Sequence, residues 1–131
     1  MKKKITRQAA TKKADLAMGQ FIRLRDCLWT GKNPKWGHCI SCYGICSYEY
    51  SETRDPRVVG QAGHYVPRRH KSLRWDLHNV NLQCRHCNEF LHGNLDSYRE
   101  GLIAKYGQEA VERLEFQRLV IKKYTVEEIL D

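Results

Sequence analysis

Residues 84–94 read CRHCNEFLHGN. Cys84 and Cys87 stand three apart, and Asn88 and His92 follow four apart. The first pair has the spacing of a zinc knuckle. The second has the spacing that brings two side chains to one face of a helix. The stretch therefore poses the question of the whole chain: a small zinc fold alone, or a zinc fold with a second, catalytic metal site built against it.

A matching pair lies upstream. CISC (39–42) supplies Cys39 and Cys42, and 41 residues separate Cys42 from Cys84. Four thiolates from two knuckles satisfy tetrahedral zinc, and the metal closes the loop between them. Binding is then coupled to folding. Four sulfur ligands leave no open position, so this zinc is structural and not the catalyst. Cys27 and Cys46 are left over. Cys46, four residues past Cys42, competes for the ligand register, but both read as small, partly buried apolar residues. The other use of six cysteines is a disulfide-rich secreted domain. MKKKITRQAATKK (1–13) carries charge but no apolar signal segment, and the paired C-x-x-C spacings favour metal.

The 131 residues suit one small domain. Such a chain buries a limited core, which gives a structural metal weight. No apolar run approaches the length of a membrane span. A cytoplasmic protein is expected. Lys and Arg number 23 against 15 Asp and Glu, a formal charge of +8. That excess points to a polyanion partner, most often nucleic acid, although basic tails are often only solvated.

Residues 1–14 read as a basic tail, frayed or ordered only on a phosphate backbone, and 15–131 as a single domain with its core at about 36–94 and a helical region at 95–131. DLAMGQFIRLRDCLW (15–29) has near-helical apolar spacing, with Asp15 as its cap. Residues 30–38 read as a loop by their Gly and Pro, and 43–63 as short strands around a loop. His64–Val66 ends a strand, and Arg68, Arg69, His70 and Lys71 form a basic loop after Pro67. A helix begins within 85–92. Residues 95–123 are helical with a break at Gly107, and Val111, Leu114, Leu119 and Ile121 form an apolar stripe. Thr125 caps a last short helix with Glu128 three residues on. The expected fold class is α+β, a small zinc-stabilised core with flanking N- and C-terminal helices.

Cutting a phosphodiester needs a divalent cation for the developing charge, a base for the attacking water, and a group that orients the base. His64 at a strand end, Asn79 ahead of the second knuckle, and Asn88 and His92 behind it supply those types. Each also has a plainer reading. His64 reads as a hydrogen-bonded histidine, Asn79 as a turn residue, His92 as a helix cap before Gly93, and Asn88 as an exposed helix position. Their clustering about one knuckle is what favours the catalytic reading.

His64, Asn79 and His92 in that order resemble the HNH, or ββα-metal, nucleases. In that class the first His is the base, the Asn orients it, and helix residues bind the metal. An Asn directly after the last Cys of a four-Cys zinc site, here Asn88, resembles the endonuclease VII-like enzymes, which assigns Asn88 to the metal. FIRLRD (21–26), CISC, AGHY (62–65), LRW (73–75), NV and QC (79–80, 83–84), CN (87–88), GNL…YR (93–99) and GQEAVERLE (107–115) are similar, in order, to the NinG (Rap) family of phage recombination proteins. The resemblance runs from about residue 15 to the C-terminus. It implies a structure-selective DNA endonuclease acting on Holliday junctions and D-loops, with the longer basic N-terminal region of the family's best-known member missing. Structural Zn and a catalytic Mg or Mn are implied.

Many HNH enzymes place an Asp ligand before the first His, where this chain has Gly63, as the family's GHY motif does. His64 as metal ligand with His70 or His78 as base, and Asp76 or Glu89 completing the sphere, stay open. Arg68, Arg69, Lys71, Arg74 and Arg85 are the expected backbone grips on DNA, with solvated surface charge as the plainer reading. Trp75 reads as core packing before base stacking. Nothing local selects branched DNA; a homodimer through the 95–123 stripe is the route by analogy. The competing classes are a non-catalytic zinc-stabilised DNA-binding module and a zinc-stabilised protein-interaction domain.

Overall fold

The structure is a computed structural model that describes residues 4–49, 54–120 and 125–130. The first helix, α1 (Arg7–Asp26), begins inside the stretch expected to fray. Thr6 caps it, its Oγ1 accepting from the Ala9 N–H at 3.1 Å. Ala10 is fully buried, so the first turns are held by packing as well. Asp15 therefore lies mid-helix and is not the cap. Its carboxylate instead accepts from Arg74 and from the Trp75 indole.

The helix ends at Asp26, where the chain turns into β1 (Cys27–Thr30). Gly31, at φ +62°, makes the turn into β2 (Asn33–His38). The expected loop at 30–38 is thus mostly strand. Pairing with both β1 and β3 (Ile45–Ser47) outweighs its Gly and Pro content, and Pro34 falls at the hairpin end. The three strands form one antiparallel sheet in the order β1-β2-β3.

A second, two-stranded sheet holds His64 at a strand end. β4 (Gly60–His64) pairs antiparallel with β5 (Val80–Cys84), from Gly60 opposite Cys84 to His64 opposite Val80. Directly after β5 comes a π-helical turn, His86–Phe90. The helix expected at 85–92 is only this turn. α2 (Leu95–Tyr106) and α3 (Gln108–Gln117) follow, broken at Gly107 as expected, and α4 (Val126–Leu130) closes the described chain. Thr125 caps α4 through the Glu128 N–H, and Glu128 bonds back to the Thr125 N–H. Residues 118–120 are not helical, and Ile121 lies outside the described residues.

Two cores hold these parts. Ile40, Val66, Leu73, Tyr98, Leu102, Val111 and Leu114 form one, joining the β4–β5 loop to α2 and α3. Val111 and Leu114 are spent in this internal core, which removes them from any dimer stripe; Leu119 is exposed. The other core is Cys27, Cys39, Cys46, Leu82, Cys84 and Cys87. Gly101 joins the two, because a Cβ there would lie 1.9 Å from the Ile40 carbonyl oxygen. Only glycine lets α2 approach the first knuckle so closely. Among the described residues no helix is long and apolar enough to cross a membrane.

Candidate metal centre and adjoining cleft

The Sγ atoms of Cys39, Cys42, Cys84 and Cys87 lie within 4.8 Å of one another. Two tight turns bring them there. The Tyr43 N–H bonds to the Cys39 carbonyl at 2.9 Å, and the Cys39 N–H to the Gly44 carbonyl at 2.8 Å. Backbone N–H groups aim at the sulfurs: Cys42 at Cys39, Gly44 at Cys42, and Cys87 at Cys84, all at 3.4–3.5 Å. The Asn94 amide adds a bond to Cys87 Sγ at 3.5 Å. Thiolates need such donors when buried, and the set can hold a structural metal such as zinc. Cys46 is fully buried in the same core but outside the quartet. Burial pushes its thiol up to about 12, which keeps it a protonated, apolar neighbour.

The knuckles clamp the start of the π-helical turn against β5, and the turn's other side faces β4. There Ala62, His64, Tyr65, Pro67, Arg68, Asn88, His92, Gly93 and Leu95 line an open cleft of about 420 Å³. His64, Asn88 and His92 are thus brought together as the sequence suggested. The Asn88 Nδ2 donates to Gln61 Oε1 at 2.9 Å, so its oxygen is the atom left for a cation. His92 sits at φ +51° in the turn after Phe90, exposed rather than on a regular helix face.

Asn79 is not part of the cleft, and it makes no hydrogen bond to His64. It is fully buried, donating to the carbonyls of Val66 and Leu73 at 3.0 Å and accepting from the Val66 N–H at 2.8 Å. It therefore pins the loop between β4 and β5 shut. The atom that orients His64 is the Arg74 carbonyl, 2.8 Å from Nε2. A carbonyl only accepts, so Nε2 carries the hydrogen and Nδ1 keeps the lone pair. Burial is the largest influence on this imidazole and lowers its pKa from 6.5; the Arg74 carbonyl opposes that, and Arg68 adds to it. Near neutral pH the ring is a neutral base.

The alternative histidines and acids are occupied elsewhere. His70 bonds to the Arg118 carbonyl, His78 to Arg113, and Asp76 also to Arg113. None of the three lines the cleft. Glu89 pairs with Arg85. Gly63 cannot be replaced by an acid, because a Cβ there would meet Gln83 Oε1 at 2.0 Å. Gln83 is fully buried, fixed by bonds from its Nε2 to Ser41 Oγ and the Gly93 carbonyl. The missing first-strand carboxylate is thus a packing consequence of tying the hairpin to both knuckles.

The expected phosphate grips divide in two. Arg68, Arg69 and Lys71 are exposed, and Arg68 borders the cleft. Arg74 is consumed by Asp15, at 2.5 Å and 2.9 Å, in a fork that locks α1 to the loop. Arg85 lies against Glu89 and over the Phe90 ring. Arg74 thus has a structural role, whereas Arg85 stands in an ion pair at the surface. Sequence reading missed the Arg74 carbonyl, which has no residue signature, and Gln61. The one cue to Gln61 was an amide inside a strand otherwise made of small residues and His64.

A cysteine-clustered α+β domain with a histidine–amide cleft beside its second knuckle is the class that this geometry defines. The chain belongs to the NinG family: the family model described as "Bacteriophage Lambda NinG protein" matches residues 1–131. It is 36% identical over 105 residues to "Protein ninG" of Escherichia phage 933W, covering 79% of this chain and 43% of that protein. The corresponding proteins of Escherichia phage lambda and Salmonella phage P22 are 35% and 34% identical over the same shares of each chain. The chain thus spans less than half the length of these relatives. No solved structure matches it.

Proposed function

We propose that the chain is a metal-dependent DNA endonuclease of the HNH, ββα-metal kind, acting on branched recombination intermediates in the host cytoplasm. The observation that carries this reading is the cleft: a neutral, oriented histidine shares it with an amide oxygen and a second imidazole. β4, β5 and the turn after them follow the ββα order. Zinc is the metal assigned to the four cysteines, as a clamp on that turn.

The Asn88 oxygen and the His92 imidazole suit a Mg²⁺ or Mn²⁺ that keeps most of its water. Such an ion, when bound, stabilises the charge on the scissile phosphate and the leaving oxygen. His64 Nδ1 takes a proton from the attacking water as its oxygen bonds to phosphorus. The bond from phosphorus to the 3′ oxygen breaks, leaving a 5′-phosphate and a 3′-hydroxyl. The Arg74 carbonyl holds His64 in the required tautomer, and Asn79 holds the loop that carries that carbonyl. Arg68, Arg69 and Lys71 grip the phosphate backbone, so binding falls with salt.

The test is cleavage of a labelled four-way junction, a D-loop and linear duplex in EDTA, Mg²⁺ and Mn²⁺, beside His64→Ala. Cleavage that needs both metal and His64 sustains the reading. A second reading, a non-catalytic zinc-stabilised DNA-binding module, draws on one observation. Among the described residues, the cysteine quartet is the one close-set cluster of His, Cys, Asp or Glu ligand atoms. Folded protein that binds DNA but cuts nothing in either metal is the outcome that reading requires.

A further inference from the structure

We infer that α1 is one wall of a second groove, which takes a single DNA strand as it leaves the cleft. This rests on the nucleic-acid reading above. Asp15, Leu16, Gly19, Gln20 and Arg23 of α1 face Asn88 and Glu89 of the π-helical turn across Gly60, Gln61 and Ala62 of β4. The groove measures about 680 Å³, and it shares Ala62, Arg68 and Asn88 with the cleft. The two are therefore one track with Arg68 at the join.

The charge of the track suits a polyanion once its ion pairs are counted. Its carboxylates are Asp15, held by Arg74, and Glu89, held by Arg85. Arg23 lies over the Tyr48 ring at the groove's side and donates to the Tyr48 carbonyl at 3.1 Å. Arg68 makes no ion pair among the described residues and borders both spaces. Two carboxylates thus sit among four guanidinium groups. Leu16 is 68% exposed on the α1 wall, an apolar surface for a sugar or base face.

The floor fixes the kind of nucleic acid. It is β4 alone, five residues long, or roughly 17 Å at about 3.4 Å per residue. With a helix on one side and a turn on the other, a floor one β-strand wide suits one sugar–phosphate backbone. A linear duplex keeps its two strands together, whereas at a branch point the strands of one arm part and enter different arms. The flanking helix expected from sequence is then part of the substrate site.

Binding with no Mg²⁺ or Mn²⁺ added, and without a chelator that would strip the zinc, separates this inference from catalysis. Fluorescence anisotropy would compare a labelled single strand, a four-way junction and linear duplex, using metal-loaded protein and its Leu16→Glu, Gln20→Glu and double variants. Both positions are exposed on α1, so melting should be unchanged. Gln108→Glu, at an exposed position of α3 away from the groove, controls for the net charge of each single variant. We expect the double variant to lose about tenfold in affinity for the single strand and the junction, the direction for negative charge on a phosphate track. Gln108→Glu should lose little. Full affinity in the double variant overturns the groove while leaving the nuclease reading intact. Equal loss for linear duplex overturns the single-strand assignment. Wild-type protein that binds no DNA overturns both this inference and the proposed function, whereas binding without cleavage overturns the function alone.

Discussion

The two knuckles and the cleft lie on opposite sides of one short turn and are built on opposite plans. The knuckle side is over-determined. Four sulfurs converge, each lying within 3.5 Å of a backbone or amide N–H, in a core with two further cysteines. The cleft side is sparse. It has one oriented histidine, one amide with half its bonding taken, and one exposed imidazole. A metal that stabilises a fold needs a complete ligand set before substrate arrives. A cation that serves hydrolysis needs places left for water and phosphate. The difference separates a complete ligand set from a sparse one.

The comparison can be broken first at the clamp. Cys39→Ser or Cys84→Ser should abolish metal retention and the cooperative melt. Structural zinc sites contribute on the order of 10 kcal/mol or more, which exceeds the stability of a domain this small. Cys46→Ser should keep one metal per chain by elemental analysis. Loss of metal in Cys46→Ser would redraw the ligand set.

A smaller effect is expected at Asn79. Asn79→Ala removes three buried hydrogen bonds that close the β4–β5 loop. Each orphaned partner costs about 1 kcal/mol or more, so denaturant unfolding should show a loss of about 3 kcal/mol with metal content intact. An unchanged midpoint would remove Asn79 from its holding role.

Gly63 sharpens the comparison at the seam of the two sides. Gly63→Ala drives a methyl into Gln83, at a cost of about 1–3 kcal/mol. In a Gln83→Ala background the same change should add little. Additive costs in the double variant would show that Gln83 is not what excludes a side chain there.

The smallest effect is in pH. His64 has its pKa lowered in the fold from 6.5, chiefly by burial. The unfolded chain thus takes up a proton near 6.5 that the folded chain refuses. The stability this contributes is present above 6.5 and is lost as pH falls through 6.5 toward the folded value. His64→Gln should flatten that part of the stability–pH curve. In the proposed reaction the basic form outlasts pH 6.5, so the acid limb of cleavage should lie below it. A limb above 6.5 would oppose His64 as the base.

Local patterns were legible where chemistry repeats at short range. The two C-x-x-C spacings located the quartet, Gly107 the helix break, and Thr125 with Glu128 the last cap. Patterns failed where a distant partner decided. Asp15 looked like a cap because its bond to Arg74 spans 59 residues. Residues 33–38 looked like a loop because strand pairing is not visible in composition. Asn79 looked like the orienting amide, yet its bonds go to Val66 and Leu73.

By itself the sequence determined the ligand types: four thiolates at two knuckles, the α+β class, and His64, Asn88 and His92 as neighbours of one turn. Those follow from side-chain chemistry and spacing, which are local. Only the tertiary structure decided which atom holds His64, why position 63 must be glycine, which arginines stay exposed, and that α1 borders the groove adjoining the cleft. Those depend on a backbone carbonyl, a close approach and ion pairs between elements far apart in the chain, and none of these leaves a mark on the residues taken one stretch at a time.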